Sequence, residues 1–359
     1  MISPYFDKEL LLSFVSADYL RRNDFLSLGF ASKYLYEKKH LFLQEKPRYT
    51  INAVSASLIS FAHSTNMSSF ARSDLSSKAK KRLKKHFQRS INSLAIELHY
   101  LLTGLRNAFL YDTGALTISG GNQLIQHLQV SLPGEFQSVN DLVVVAVGAG
   151  DAIFFVRRWA TIQLLKFNLK YKTGPALVDV SPKLQSPIFI PWSNTKQTKQ
   201  LVEAMEYVLS AIVTNDENDK KENMICLQRE RLNTSMISIV GILLEYPVVY
   251  GFFQGDETIV GNCAASDTLC CHRLIHHTVQ WIEIAEQKSK NCSDTRDLIL
   301  PWSFTVPKLI KKNVFVRLAI AYFYTIILKR LNNNGQNVPT TQQHLSWNVE
   351  EMNVSSVCL

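Results

Sequence analysis

The chain has 359 residues, 46% of them hydrophobic and 19% charged, enough to bury a sizeable core and typical of a globular protein rather than a disordered one. Its formal net charge of +9 hints at an anionic partner, but the basicity is local. Seven of the 39 Lys and Arg fall in KAKKRLKKHFQR (78–89), and without them basic residues nearly balance the 30 acids, so a cationic field over the whole surface is excluded.

Residues 1–50 carry apolar positions recurring at three and four and predict short helices, a helical extension. The N-terminus has acids among its apolar residues and no export signal pattern, so a cytoplasmic setting is expected, with the basic run allowing nuclear entry. Six cysteines without a regular framework spacing are then expected to be reduced. Residues 51–77 are rich in Ser, Ala and Asn and read as a linker; with the basic run the linker segment spans 51–89. The run holds Lys78, Lys80, Lys81, Arg82, Lys84, Lys85 and Arg89, and it begins a long helix over about 78–104 that stops at Gly104. Its single aromatic is too little for a base-stacking surface, and cations there oppose the helix dipole. Phosphate contact is the one route to nucleic acid that the sequence offers.

From 90 to 331 the pattern predicts one α/β domain: a mixed sheet with helices on both faces, parallel βα units first and antiparallel strands later. AFLY (108–111), DLVVVAV (141–147), AIFFV (152–156) and PALVDV (175–180) read as strands. NQLIQHLQ (122–129), RRWATIQLLKFNL (157–169) and KQLVEAMEYVLSAIV (199–213) read as helices between them. A polar insert follows at 214–223, then the helix SMISIVGILLEY (235–246), the strand PVVYGFF, strand-like alternation over 268–284, the strand LPWSFTVP (300–307) and a helix over 308–331. That last segment is too short and too charged, with Arg317, to cross a membrane. Residues 332–359 read as a polar tail.

Three patterns bear on chemistry. Asp112-Thr113-Gly114 resembles an aspartic-protease turn, which needs a second carboxylate to share a proton. The chain has no second Asp-Thr-Gly, and the helix expected just after it denies the all-strand fold of those enzymes. Asp112 and Asp179 each end an apolar strand, where ligands gather in open α/β sheets, and where an Asp also commonly caps a turn. VGAGDA (147–152) fits a hairpin better than a phosphate loop. Cys270, His272 and His276 are the candidate metal ligands; strand alternation puts them on one face and Cys271 and His277 on the other, and the Cys-x-x-Cys knuckle is missing. No metal or other cofactor is therefore expected.

RNAFLYD (106–112), NDLVVVAV with DAIFFV (140–156), GPALVDVS (174–181), ERLNTSMISIVGILLEYPVVYGF (230–252) and PWSFTVPKL (301–309) together resemble an uncharacterised animal family typified by the product of chromosome 1 open reading frame 74. The likeness covers roughly residues 90–312, and its best markers are Gly241-Ile242-Leu243-Leu244, Tyr246-Pro247-Val248 and Ser303-Phe304-Thr305-Val306-Pro307. It implies a shared α/β domain and no catalytic residue. A non-catalytic binding or scaffold protein, with a protein partner or nucleic acid held through 78–89, is the leading expectation. The alternative is an enzyme or small-ligand binder using Asp112 and Asp179.

Overall fold

The computed structural model describes residues 51–64, 76–112, 116–132, 137–148, 152–172, 174–181, 184–217, 223–232, 234, 236–252, 273–283, 297–335 and 343–352. They form a mixed α/β fold with three sheets, and they belong to one compact unit, 47–359. The helical extension expected over 1–50 lies outside them.

The first sheet contains β1 (Ala108–Tyr111), β2 (Leu142–Val147), β3 (Ala152–Arg157) and β6 (Met224–Leu227), in the order β1-β3-β2-β6. β2 and β3 are antiparallel with Val147 opposite Ala152, and Gly148 follows β2 at φ 62°, a conformation that favours glycine, so the hairpin reading of this stretch holds. β2 pairs with β6 in parallel, which needs the long crossover carried by α5 (Arg158–Tyr171) and α6 (Thr195–Glu217).

Alternation along these strands divides two cores. Phe109, Tyr111, Leu142, Val144, Ile153 and Phe155 face one side, where α1 (Ile51–Ser64), α2 (Ser77–Leu102) and α3 (Ile118–Ser131) cover them. A short helix, α4 (Gln137–Asn140), adds Val139 to the same core. Ala108, Val143, Val145, Val147, Phe154 and Val156 face the other side, against α5, α6 and α7 (Met236–Leu243).

The second sheet, in the order β5-β4-β7, holds β4 (Ala176–Asp179), β5 (Ile188–Ile190) and β7 (Val248–Gly251), with β4 and β7 parallel. Leu177 and Val249 join the core under α7, and Ala176, Val178, Val248 and Tyr250 turn to a third core. That core is closed by α8 (Val314–Gly335) and by the third sheet, β10-β8-β9, made of β8 (Leu274–Glu283), β9 (Asp297–Pro307) and β10 (Gln343–Met352). β8 is antiparallel to both β9 and β10, whereas β7, also expected among the antiparallel strands, pairs in parallel with β4 across a crossover. α7 sits close on β7: a Cβ at Gly241 would lie 2.9 Å from Val249 Cγ2, so glycine is what this approach admits.

Two segments read as linker and tail are regular structure instead. Residues 51–64, expected as linker, are helix α1, because Val54, Leu58 and Phe61 recur at helical spacing among the small residues and are fully buried against α2. Residues 343–352, expected as tail, are strand β10, in register with β8 from Gln343 opposite Glu283 to Met352 opposite Leu274. Only Leu345, Trp347, Val349 and Met352 of its ten residues are apolar, so the composition read as a tail.

Candidate interaction surface and the strand-end aspartates

Helix α2 begins at Ser76, whose side chain accepts the Ala79 N–H at 3.3 Å, and ends at Thr103, whose N–H donates to His99 O. Phe87, Ile91, Leu94, Ala95, Leu98, Leu101 and Leu102 form its buried stripe, and Phe87 meets Phe61 of α1 edge-on at 5.9 Å. Burial of that side fixes which residues point outward. Lys78, Lys81, Arg82, Lys85 and Arg89 are exposed, at offsets of 3, 4, 7 and 11, and so lie along one face. Lys80 and Lys84 are half-buried on its flanks. The stripe runs about 16 Å along the axis at 1.5 Å per residue. α1 has no acidic residue, and the first in α2 is Glu97. Cations near a helix start oppose the macrodipole, so this half of α2 keeps an unfavourable charge pattern that an anion would relieve.

The other end of α2 treats charge differently. Glu97 pairs with Arg106, which is 5% exposed and sits over the Trp302 ring at 5.8 Å. Burial pushes the Glu97 carboxyl up, Arg106 opposes that, and nearby Asp112 adds to it.

Asp112 itself is exposed at the end of β1, in the first sheet. Asp179 ends β4 in the second sheet and is fully buried. Its Oδ1 accepts the Ser181 N–H at 2.9 Å and the Ser181 hydroxyl, the turn-capping role open to any strand-end Asp, while Oδ2 has no hydrogen-bond partner. The two carboxylates thus end strands of different sheets, in opposite environments. Thr113 and Gly114, which would complete the protease-like turn, lie outside the described residues.

Of the candidate metal ligands, Cys270 and His272 lie outside the described residues. His276 is half-buried on β8, and His277, its neighbour on the opposite face, is buried. The His277 ring stacks on Phe304 at 4.8 Å and its Nδ1 meets the Tyr324 hydroxyl at 2.8 Å; burial, aided by Lys311 and His276, lowers its pKa to about 4. Among the described residues, no group of three or more His, Cys, Asp or Glu side chains could hold a metal ion.

One polar cluster escaped the sequence reading. Glu245, at φ 59°, accepts Arg330 Nη1 at 2.7 Å and Nη2 at 2.8 Å, and Asn107 Nδ2 at 2.7 Å; Arg330 Nη1 also donates to Leu105 O. Three distant segments meet there: the α2–β1 loop, the turn after α7, and α8. Partners separated by 85 and 138 residues leave no local signal; Glu245 following the α7 pattern gave only a helix end.

A family model described as a domain of unknown function (DUF4504) matches residues 73–359. The chain belongs to this family. The match takes in the basic half of α2 and strand β10 at its two ends, both beyond the 90–312 stretch that carried the resemblance. Comparison with curated proteins and with solved structures finds no match to either. Among the described residues, no helix is long and apolar enough to cross a membrane.

Proposed function

We propose that this family member is a non-catalytic binding protein, cytoplasmic or nuclear, that holds an anionic partner on the outer face of α2. The observation that carries the reading is the stripe of five exposed cations on a helix whose opposite side is locked into the core. A positive face of this kind attracts anions over distance and speeds their capture. A structural role for Asp179 is supported by its Ser181 cap, and Asp112 ends a strand of a different sheet.

The test is binding of the full chain to a fluorescent long-chain polyphosphate, followed by anisotropy. Replacing Lys81, Arg82, Lys85 and Arg89 together by Gln weakens binding on the order of 10- to 100-fold, from four surface ion contacts of modest worth each. Undiminished binding by that variant overturns the reading. A second reading, a small-ligand site at the carboxyl ends of β4 and β7, rests on the partnerless Asp179 Oδ2. It expects Asp179→Asn to abolish stabilisation by a ligand found in a thermal-shift screen; polyphosphate binding is unchanged by that substitution.

A further inference from the structure

We infer that the anionic partner is the phosphate backbone of a double-stranded nucleic acid, held without sequence preference. The inference rests on the reading that α2 binds an anion, and it selects among anions by what the helix lacks. An interfacial helix needs an apolar face to sink into lipid. In α2 that face is spent: Phe87, Ile91, Leu94 and Leu98 are buried in the protein's own core. Single strands are gripped by stacking bases on exposed aromatics. The one Phe, Tyr or Trp within the basic run, Phe87, is fully buried.

An acidic protein would need an apolar anchor surrounded by the charges, since affinity at protein interfaces concentrates in a few desolvated side chains. Leu83, the one large aliphatic residue between Lys78 and Arg89, is itself partly buried and packed on the core under α1. What remains is a convex row of cations with no apolar anchor, its one exposed ring being the imidazole of His86, too little to stack a run of bases. Such a row suits a partner whose binding comes from charge density alone.

A duplex is that partner: each strand presents a phosphate about every 3.4 Å of axis, and counterion release supplies the driving force. Over the roughly 16 Å of the stripe one strand offers about five phosphates, matching the five exposed cations. Lys80 and Lys84, half-buried on the flanks, are not counted among the five.

The experiment titrates the full chain into fluorescent 20-base-pair DNA duplexes of two unrelated sequences, and an RNA duplex, at 50 to 200 mM KCl. With about five phosphates engaged, the logarithm of affinity falls against the logarithm of salt with a slope of about −4.5, roughly a 500-fold loss over that range. The two DNA sequences differ by less than about 3-fold. DNA and RNA arms distinguish which duplex supplies the backbone, and binding to either meets the expectation. Replacing Lys81, Arg82, Lys85 and Arg89 by Gln brings the slope close to −1, whereas Lys81→Arg with Lys85→Arg retains it.

Parallel arms use vesicles containing phosphatidylserine, a polyglutamate peptide and inorganic polyphosphate. Binding to any of these without binding to duplex sinks the nucleic-acid inference and leaves the anion-binding reading standing. Failure of every polyanion removes both. A duplex slope that is unchanged in the four-Gln variant, or a strong preference between the two DNA sequences, also overturns the inference.

Discussion

Two groups of charges in this molecule, the Glu245–Arg330 contact and the outer face of α2, use the same side chains to opposite ends. Glu245 and Arg330 are 13% and 21% exposed, bonded through two nitrogens, and completed by Asn107 and the Leu105 carbonyl, so every partner is internal. The α2 cations are outward, in a row, and on a helix without an acid before Glu97. A desolvated charge is committed to its neighbours, since leaving it alone would be costly; a solvated one is free to change partners. The comparison separates charges that hold the fold from charges available for recognition, a distinction that composition cannot draw.

The largest effect should come from breaking the inner pair. Arg330→Gln leaves the Glu245 carboxylate half-paired in a shielded site and should cost about 3 kcal/mol in denaturant unfolding. Glu245→Gln should cost a similar amount, and the double variant much less than the sum of the two. An additive pair would mean that the contact is ornamental and that the contrast with α2 is false.

Acid should come next. His277 has its folded pKa lowered to about 4 from an ordinary value near 6.5, and His99, half-buried on α2, is lowered by desolvation to about 4 as well. Both are neutral in the folded protein and take up a proton more readily when unfolded. Their stabilising effect is present above pH 6.5 and is lost as pH falls from there toward 4, with His277 contributing about 3 kcal/mol at most. Glu97 works the other way, its raised carboxyl favouring the folded state as it protonates. Urea midpoints measured from pH 7 to pH 4 should therefore fall, and fall less steeply in His277→Gln.

A smaller effect probes packing. Gly241→Ala gains helix propensity of about 1 kcal/mol but drives a methyl against Val249 at 2.9 Å, so a net loss of about 1 kcal/mol is expected. In a Val249→Ala background the same change should become neutral or stabilising. Smallest of all, replacing the four α2 cations by Gln should move stability by no more than about 0.5 kcal/mol, upward at low salt, because the charges oppose the helix dipole. Four outer charges removed for nothing, against one inner charge removed for about 3 kcal/mol, is the comparison at its sharpest.

Much of this architecture could be read in the sequence. The continuous apolar runs 142–147 and 152–156 announced buried strands, and the glycines between them announced the turn. α6 and α8 were legible from their length. The division into three sheets was not, because the parallel partnership of β2 with β6 and of β4 with β7 is settled by crossovers and leaves no mark on either strand. α1 was overlooked because small polar residues diluted three apolar positions, and β6 because its four residues directly follow the polar insert 214–223. Of the candidate site, the basic run was visible as charge, but which five of its seven cations point outward depends on where Phe87 and Leu94 pack. Asp179 was found as a strand end; its burial and its Ser181 cap required the fold.

The last strand has a practical consequence. β10 lies beside β8 along ten residues, and β8 is the middle of its sheet only because β10 is there. Trimming the chain before Gln343 would leave the amides and carbonyls on that flank of β8 open to adopt a strand from another molecule. Shortened versions should consequently self-associate, and a label for the assays above is better attached to a surface side chain than gained by cutting this end away.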